Sequence, residues 1–465
     1  MTHAKVIWPP YPYEAGFCIT DDPDASTFAQ TRAVYDLLLL RSFVTTKAVW
    51  AFNPVEKCGI PAIPDSALRG VTLDDDRYLS YCKELYQQGV ELCLHGASSG
   101  NNKRDRTRDA LELFAADLGA SDTYICHSKN AENIYWEDKI TSLFPFHALL
   151  RRYSKHTCEG ELEGSAYYWG DLCHARINQI RLYRTRCRNT LKRNPSMPYH
   201  DPRKPLVNGW FSATKRSMAD CTTEDAINRL KQEYGLTVLY QYLHRYADPG
   251  TGKLNGRFVQ SVERISSDPK IFVRTVSSIM KRLRQMQAVY TIHQGKSLWI
   301  VNLSDEDTEH IQIVADRPLD VETGDNSMVT YGRLLVVKTL VKKSLKKVRV
   351  SDRIALFGRN ALEAGRDKHV TCTLPFGKLQ VNLSGNEWPV AEGGTIPPES
   401  FRVTTRESGT GIPLLSVLSD SEERGLIMDQ SVSIAREVIF KGRSLNVDTY
   451  LDNSRAIPLE DHDNW

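Results

Sequence analysis

The stretch Gly16-Phe-Cys-Ile-Thr-Asp-Asp-Pro-Asp-Ala-Ser26 decides the fold, because a short apolar run ends there in two adjacent carboxylates, just ahead of a helical pattern. An α/β barrel carries its chemistry at strand-to-helix junctions of this kind. Side chains alternate along a strand, but at such a junction we expect both Asp21 and Asp22 to face the barrel mouth. One carboxylate can then hold a metal ion while the other moves a proton. The alternative is that Asp22 or Asp24 only caps the following helix.

Composition bounds the kind of protein. The chain has 465 residues, 41% hydrophobic and 25% charged, which is typical of a soluble globular protein with two domains. A formal net charge of +3 gives no reason to expect a nucleic-acid partner. No apolar stretch has the length of a membrane span and no signal-peptide pattern is visible, so we expect a cytoplasmic protein without a membrane span. These features do not predict the oligomeric state.

The ten cysteines show neither Cys-x-x-Cys nor zinc-ribbon spacing. Cys18, Cys93 and Cys126 each lie in an apolar, strand-like run, so we interpret them as small buried hydrophobic residues. Cysteines in this number, without a secretion signal, fit a reducing cytosol.

The chain has two parts with different residue patterns. Residues 1–290 alternate strand-like and helix-like patterns, which predicts a (β/α) barrel. Residues 291–465 consist of short β-rich runs separated by turn residues, which predicts a β-sandwich-like accessory domain. Within the first part, Asp171–Lys192 is predicted to be a basic helix with a solvated face, and Ile271–Gln285 a second helix.

Histidines follow several of the predicted barrel strands. His95 ends the third strand, His127 follows the fourth, and His244 follows the last. Parallel connectivity brings these strand ends to one rim. There Asp22, His95 and His127 would form a set suited to Zn²⁺ or a similar ion, with open positions for water. Asp21 would accept a proton and a protonated His244 would donate one, an apparatus for hydrolysing an amide or ester.

These residues carry a resemblance to a known family. Phe17-Cys-Ile-Thr-Asp-Asp-Pro-Asp24 resembles the Thr-Phe-Asp-Asp-Gly-Pro motif of the polysaccharide deacetylases, the NodB-type carbohydrate esterases. Leu94-His-Gly-Ala-Ser-Ser99 is similar to that family's His-Ser/Thr-x-x-His motif, and Leu239-Tyr-Gln-Tyr-Leu-His244 to its late Leu-x-His motif. The resemblance covers about residues 10–290. It implies an irregular (β/α)7 barrel, a divalent metal with zinc as the expected ion, and a carbohydrate or glycoconjugate substrate.

The resemblance also implies roles for individual residues. The first carboxylate of the motif, Asp21, is the general base and the second, Asp22, binds the metal. His95 is a metal ligand, and His244 is the general acid.

The sequence departs from the family pattern at the second motif. Ser99 stands where the family supplies another histidine or aspartate, and serine is a poor zinc ligand. His127 is the candidate replacement, with Asn101 or Asn102 as weaker ones. Pro23 also replaces the glycine of the first motif.

Several residues near the same rim are candidates for substrate contact. Tyr168, Trp169 and Trp210 flank or end predicted strands, where aromatic faces can stack on sugar rings or simply fill the barrel. Arg104 follows the His95 loop and would contact a carboxylate or phosphate of the substrate, or else begin a solvated helix. Asp171 is a further candidate.

Three functions remain open from the sequence. The first is a metal-dependent hydrolase that removes an N- or O-acyl group from a glycan or glycoconjugate. The second is a carbohydrate-binding or polysaccharide-assembly protein that has lost metal binding at Ser99. The third is a glycoside hydrolase that uses Asp21 with Asp171, a pair that would lie about 5 to 10 Å apart.

Overall fold

The structure of this chain is a computed structural model. It describes residues 1–57, 69–128, 130–135, 158–195, 197–200, 204–302, 304–322, 327–342, 344–357, 361–363, 369–374, 377–382, 401–406, 414–419, 437–440 and 443–446. The chain divides into two compact units. One contains Tyr13–Met280, and the other combines Met1–Pro12 with Lys281–Asn453.

Strand β1 (Thr2–Ile7) opens the chain in the second of these units. The barrel unit then supplies eight strands, which are β2 (Ala15–Asp21), β3 (Thr46–Val49), β4 (Glu91–Leu94), β5 (Thr123–Ile125), β6 (Gln179–Thr185), β7 (Trp210–Thr214), β8 (Leu236–Gln241) and β9 (Ile271–Val273). Its helices are α1 (Phe28–Leu40), α2 (Asp76–Gln87), α3 (Arg104–Leu118), α4 (Gly170–Arg176), α5 (Thr190–Arg193), α6 (Met218–Cys221), α7 (Glu224–Gln232), a 3₁₀ helix (Leu243–Tyr246), α8 (Gly256–Ser266) and α9 (Val276–Gln287), of which α9 continues past Met280.

Seven parallel strands close into a barrel. Their order is β3-β4-β5-β6-β7-β8-β2, and β2 pairs with β3 to complete the ring. The longest of these strand pairings joins β2 to β8, with Gly16 opposite Leu236 and Asp21 opposite Gln241. The short strand β9 pairs with β2 outside the ring. This topology confirms the predicted (β/α)7 barrel, and it collects the carboxyl ends of all seven strands at one rim.

The helix after β2 has its own cap. The Thr27 hydroxyl accepts a hydrogen bond from the backbone N–H of Gln30, which satisfies one of the free donors at the start of α1. The same helix buries Val34, Tyr35 and Leu38. Because Thr27 fills the capping position, the neighbouring aspartates remain available for other contacts.

The region predicted as a basic helix is mostly a strand. Residues Gln179–Thr185 form β6, the fifth strand of the barrel along the chain, and only short helices flank it. Arg181 is buried in the barrel, where Asp22 neutralises its charge, so this arginine does not belong to a solvated face. The predicted helix Ile271–Gln285 likewise begins as strand β9 and becomes helical only from Val276.

The second unit is rich in β-structure. Its further strands are β10 (Val289–Gln294), β11 (Ser297–Asn302), β12 (Thr308–Ala315), β13 (Val321–Glu322), β14 (Met328–Tyr331), β15 (Leu334–Leu340), β16 (Ser344–Val350), β17 (Ile354–Phe357), β18 (Ala361–Glu363), β19 (His369–Leu374), β20 (Gly377–Asn382), β21 (Phe401–Arg406), β22 (Leu414–Ser419), β23 (Glu437–Phe440) and β24 (Arg443–Asn446). Two five-stranded sheets have the orders β14-β15-β12-β1-β17 and β13-β16-β11-β10-β18. A four-stranded sheet, β20-β19-β22-β21, and the pair β23-β24 complete the set.

One hydrophobic core serves both five-stranded sheets. It includes Ile311 and Leu335 from the first sheet and Leu298, Ile300 and Val348 from the second, all of them buried. A core shared in this way is what a sandwich requires, although the sandwich arrangement itself stays a prediction.

The pairing of strand β1 places residues Thr2–Ile7 in this unit. Ala4 pairs antiparallel with Ala315 of β12, and Thr2 pairs parallel with Ile354 of β17. Residues 1–12, which the sequence placed in the barrel part, therefore belong to the β-rich unit. Only every second side chain at the start of β1 is buried, a pattern typical of a sheet with one covered face.

Within the described residues, no helix combines the length and the apolar character needed to cross a membrane. The thiols of Cys18, Cys93 and Cys126 are free and buried, as predicted, and burial raises the pKa of each. A thiol in such surroundings is unreactive.

Candidate metal centre

Three buried side chains converge at the rim of the barrel. Asp24 follows β2, His95 follows β4 and His127 follows β5, and each offers one ligand atom within 4.8 Å of the other two. His95 Nε2 lies 3.4 Å from Asp24 Oδ1, and His127 Nε2 lies 3.7 Å from Asp24 Oδ2. The two imidazole rings are 5.3 Å apart. The topology therefore brings together the two histidines that the sequence placed at strand ends.

Hydrogen bonds fix the proton positions on both rings. His95 Nδ1 lies 2.8 Å from the carbonyl oxygen of Ile125, which can only accept, so Nδ1 carries the proton. His127 Nδ1 lies 2.8 Å from Asn130 Oδ1 and donates in the same way. Both Nε2 atoms are then left with a lone pair directed to the third member of the group, as metal-binding histidines require.

The charges of the group also suit a cation. Burial alone would raise the pKa of Asp24, but its interactions with the neighbouring His95 and His127 rings lower it to about 2. Burial lowers the pKa of His127, which favours the neutral ring. The set thus combines an anionic carboxylate with a His127 ring whose neutral form is favoured.

The spacing agrees with tetrahedral coordination. Ligand atoms about 2.0–2.2 Å from one zinc ion are separated from each other by about 3.3–3.6 Å. The measured separations of 3.4 and 3.7 Å are close to that range. Moreover, Asp24 Oδ1 is buried and accepts no hydrogen bond of good geometry from the described residues. The residues therefore fit a divalent ion of the zinc type.

The carboxylate of the group is not the one expected. Asp22 was predicted to bind the metal, but both of its oxygens accept hydrogen bonds from Arg181, at 2.7 and 2.6 Å. Arg181 also donates to the Thr20 hydroxyl at 3.0 Å. Asp22 still lies 3.5 Å from His95 Nε2, so it borders the group without belonging to it. Asp24, two residues further along the chain, is the carboxylate that lies with the two histidines.

Asp21 faces away from Asp22. Its carboxylate accepts from Lys47 Nζ at 3.1 Å, from the Tyr35 hydroxyl at 3.0 Å and from the backbone N–H of Leu243 at 2.8 Å. The strand alternation thus continues through the junction, instead of turning both aspartates to the mouth. Asp21 is enclosed by three donors, from β3, α1 and the 3₁₀ helix, an arrangement that does not favour its predicted role as the general base.

His244 lies in the 3₁₀ helix that Asp21 holds through Leu243. The ring is buried, and Nδ1 has no hydrogen-bond partner among the described residues. Burial lowers its pKa, although the charge of Asp21 opposes this effect. The resting ring is therefore neutral at pH 7, rather than protonated as predicted.

Two aromatic residues border the group and were not assigned to it from the sequence. The Trp50 indole lies 4.7 Å from the His95 ring and 5.1 Å from the His127 ring. The Tyr242 hydroxyl hydrogen-bonds Asp24 and accepts from Tyr240 at 2.5 Å. Trp50 follows β3 and Tyr242 follows β8, so the strand-end rule applied to all residue types would have found both.

The weaker candidate ligands have other partners. Asn101 Oδ1 accepts from the backbone N–H of Ala131, and Asn102 Nδ2 donates to Glu132 at 2.6 Å. Ser99 is buried. His127 therefore stays the candidate replacement for the missing second-motif ligand.

Two of the predicted sugar contacts are core residues. Trp169 and Trp210 are only 0% and 1% exposed. Trp169 packs on Tyr124 at 4.8 Å between ring centroids and donates its indole N–H to the carbonyl of Glu132. Neither indole presents a face to a ligand, which corrects their assignment to the substrate site.

Arg104 and Asp171 bind each other. Two hydrogen bonds of 2.6 and 2.7 Å join them near the surface, and the guanidinium lies 5.4 Å from the half-buried Tyr168 ring. The hydrogen bond from Arg104 lowers the pKa of Asp171. A glycosidase acid needs a raised pKa, so this pair argues against the glycoside hydrolase hypothesis. Tyr168 and Arg104 remain candidates for substrate contact.

Comparisons with known proteins give a distant likeness in fold. No family model matches the chain, and no curated protein shows significant similarity to it. The solved structures with similar folds include a protein from Mycobacterium smegmatis assigned to the polysaccharide deacetylases, with 10% identity, 60% of this chain and 94% of that chain covered, and a TM-score of 0.36. They also include the PuuE allantoinase (10%, 59% and 93%, 0.34) and a novel carbohydrate deacetylase (11%, 74% and 66%, 0.30). At these TM-scores the likeness says nothing about the activity of this chain.

A close backbone approach supports the turn that carries Asp24. A Cβ atom on Gly70 would lie 2.2 Å from the carbonyl oxygen of Pro23, which is too close for any real contact. We expect Gly70→Ala to displace this turn and to weaken zinc binding by at least tenfold, measured by competition with a chromogenic chelator. Gly256→Ala is the matched control, because a Cβ atom there meets nothing within 4 Å. Equal zinc affinity in the two variants would contradict this account of the turn.

Proposed function

We propose that this protein is a metal-dependent hydrolase that removes an N- or O-acyl group from a carbohydrate or glycoconjugate. The observation that carries the proposal is the buried group of Asp24, His95 and His127, in which one carboxylate faces two imidazole lone pairs. A second carboxylate, that of Asp22, borders the same group. Metal-assisted hydrolysis of an acyl bond uses these two elements together, a Lewis-acid position and a proton acceptor beside it.

Asp24, His95 and His127 would hold the ion, with zinc as the expected metal. When bound, such an ion supplies Lewis acidity toward the carbonyl oxygen of the acyl group. The hydrogen bonds from His95 to Ile125 and from His127 to Asn130 hold the two rings in place, so little reorganisation accompanies binding.

Asp22 is the proposed general base. Its position 3.5 Å from His95 Nε2 places it next to the ligand group, and Arg181 fixes its orientation through two hydrogen bonds. It would accept a proton from the attacking water. The buried Arg181 also supplies a counter-charge to Asp22 in an interior where a lone charge would be costly.

His244 is the proposed proton donor to the leaving group. Its unpartnered Nδ1 is available to a ligand, and Asp24 and Asp21 are close enough for their charges to act on the ring. Because burial lowers its pKa, the donor form is populated only on the acid side of neutrality.

The first test is metal binding. The wild-type protein is expected to bind close to one equivalent of zinc in equilibrium dialysis, and Asp24→Ala and His95→Ala to lose this binding. Asp171→Ala, at the surface ion pair, is the matched control and keeps it. Zinc at a hundredfold excess over Kd should stabilise the wild type by about 2.7 kcal/mol. A wild-type protein that binds no zinc would favour the non-catalytic carbohydrate-binding hypothesis.

The second test separates the two neighbouring aspartates. Asp22→Asn is expected to keep zinc and to lower kcat by about 10²- to 10⁴-fold on an acetylated xylan or an N-acetylglucosamine oligomer. Acetate release is the readout, measured below the unfolding temperature of each variant, because Asp22→Asn leaves Arg181 without its buried anion. If Asp21→Asn lost turnover while it kept normal stability, the base would be Asp21 after all.

The third test uses pH. If His244 must be protonated, kcat/KM falls as pH rises through the pKa of its ring in the free enzyme. Burial places this pKa below the ordinary value of about 6.5, so the fall is expected below about pH 6.5. His244→Gln should be slower and should lack this fall. A profile unchanged in shape in the variant would remove His244 from the mechanism.

A further inference from the structure

The side-chain amide of Asn130 determines which ring nitrogen of His127 carries the proton. Asn130 Oδ1 lies 2.8 Å from His127 Nδ1, and its Nδ2 donates to the carbonyl of Gly100 at 2.8 Å and to Glu132 Oε1 at 2.9 Å. If the amide were turned over, an N–H would face His127 Nδ1 instead. That ring nitrogen would then have to accept, and the proton would move to Nε2, the atom that faces Asp24.

Glu132 is the charged end of this arrangement. It is 0% exposed, and it accepts three hydrogen bonds, from Asn130 Nδ2, from Asn102 Nδ2 at 2.6 Å and from the backbone N–H of Asn102 at 3.1 Å. Burial raises its pKa to about 7, although the hydrogen bonds from Asn102 and Asn130 act in the opposite direction. Among the described residues no cation pairs with it. A buried carboxylate without a cation is costly, so it calls for a specific role.

We propose that Glu132 is a positioning residue of the metal centre, which fixes the Asn130 amide and through it the His127 tautomer that leaves Nε2 free. The inference rests on the proposed metal site. It adds a residue that touches neither metal nor substrate and that no sequence motif indicated.

The physical basis is that the ionised carboxylate of Glu132, which prevails above its pKa of about 7, cannot donate. Beside Glu132 Oε1 and the Gly100 carbonyl, Asn130 must present its NH₂ group, because its own oxygen there would face two other oxygens. With a glutamine at position 132 this restriction weakens, since the new amide can turn and donate to Asn130. Loss of such supporting partners usually weakens metal binding by 10- to 100-fold.

The test combines zinc affinity with the tautomer itself. In the zinc-free full-length protein, nitrogen-15 NMR of labelled histidine, assigned with His127→Gln, should show only the Nδ1–H form of His127. Glu132→Gln should show a mixture of both tautomers and bind zinc 10- to 100-fold more weakly. Glu233→Gln, a surface carboxylate that also accepts from an asparagine amide, is the matched control and should change neither quantity.

A second variant guards against a general loss of structure. In the double variant Glu132→Gln with Asn130→Asp, the two oxygens of the new carboxyl group are equivalent, so whichever way it is turned one can accept from His127 Nδ1 while the other, carrying the proton, donates to the Gly100 carbonyl oxygen. Glu132 is then no longer needed to orient the side chain at position 130, so zinc affinity and the single tautomer of His127 should return. A merely structural role for Glu132 would not be rescued in this way.

The outcomes separate the two proposals. Wild-type zinc affinity and a single tautomer in Glu132→Gln would overturn the role of Glu132 and leave the proposed function intact. A double variant no better than Glu132→Gln would also overturn it. If the wild type bound no zinc, the proposed function would fail, and the NMR tautomers would still decide whether Glu132 positions His127.

Discussion

A buried ion pair across the barrel determines the arrangement of the candidate site. Asp22 on the β2 side and Arg181 on β6 are not neighbours in the sheet, yet two hydrogen bonds of 2.7 and 2.6 Å join them through the interior. Removing one partner of such a pair typically costs 3–5 kcal/mol, because the other charge stays buried. The pair fixes which way the chain leaves β2, and the positions of Asp21 and Asp24 follow from it.

Most strands of the barrel were predictable from local sequence patterns, but strand β6 was not. The period of apolar residues marked β2, β4, β5 and β8 within a few residues, since each is a short buried run before a helix. β6 was misread because Arg181 looks like a solvent-facing charge. Its partner, Asp22, lies 159 positions away, and no local pattern contains that information.

The candidate site shows the same limit. His95 and His127 were found because parallel strands must end at one rim. The roles of Asp21 and Asp22 were assigned on the assumption that alternation breaks down at the junction. The structure keeps the alternation, so Asp22 faces Arg181 and Asp21 faces Tyr35. Trp169 failed as a ligand contact because a sequence cannot distinguish an aromatic side chain in a core from one at an opening.

The pairing of β1 has a consequence for how the protein is made. The ribosome releases Thr2–Ile7 before the barrel strands, but the strands that pair with it, β12 and β17, emerge at least about three hundred residues later. In the interval every strand of the barrel has been synthesised, so the barrel can assemble while β1 still lacks its neighbours. In topological terms, the barrel is an insertion within the β-rich unit, since segments on both sides of it in the chain belong to that unit.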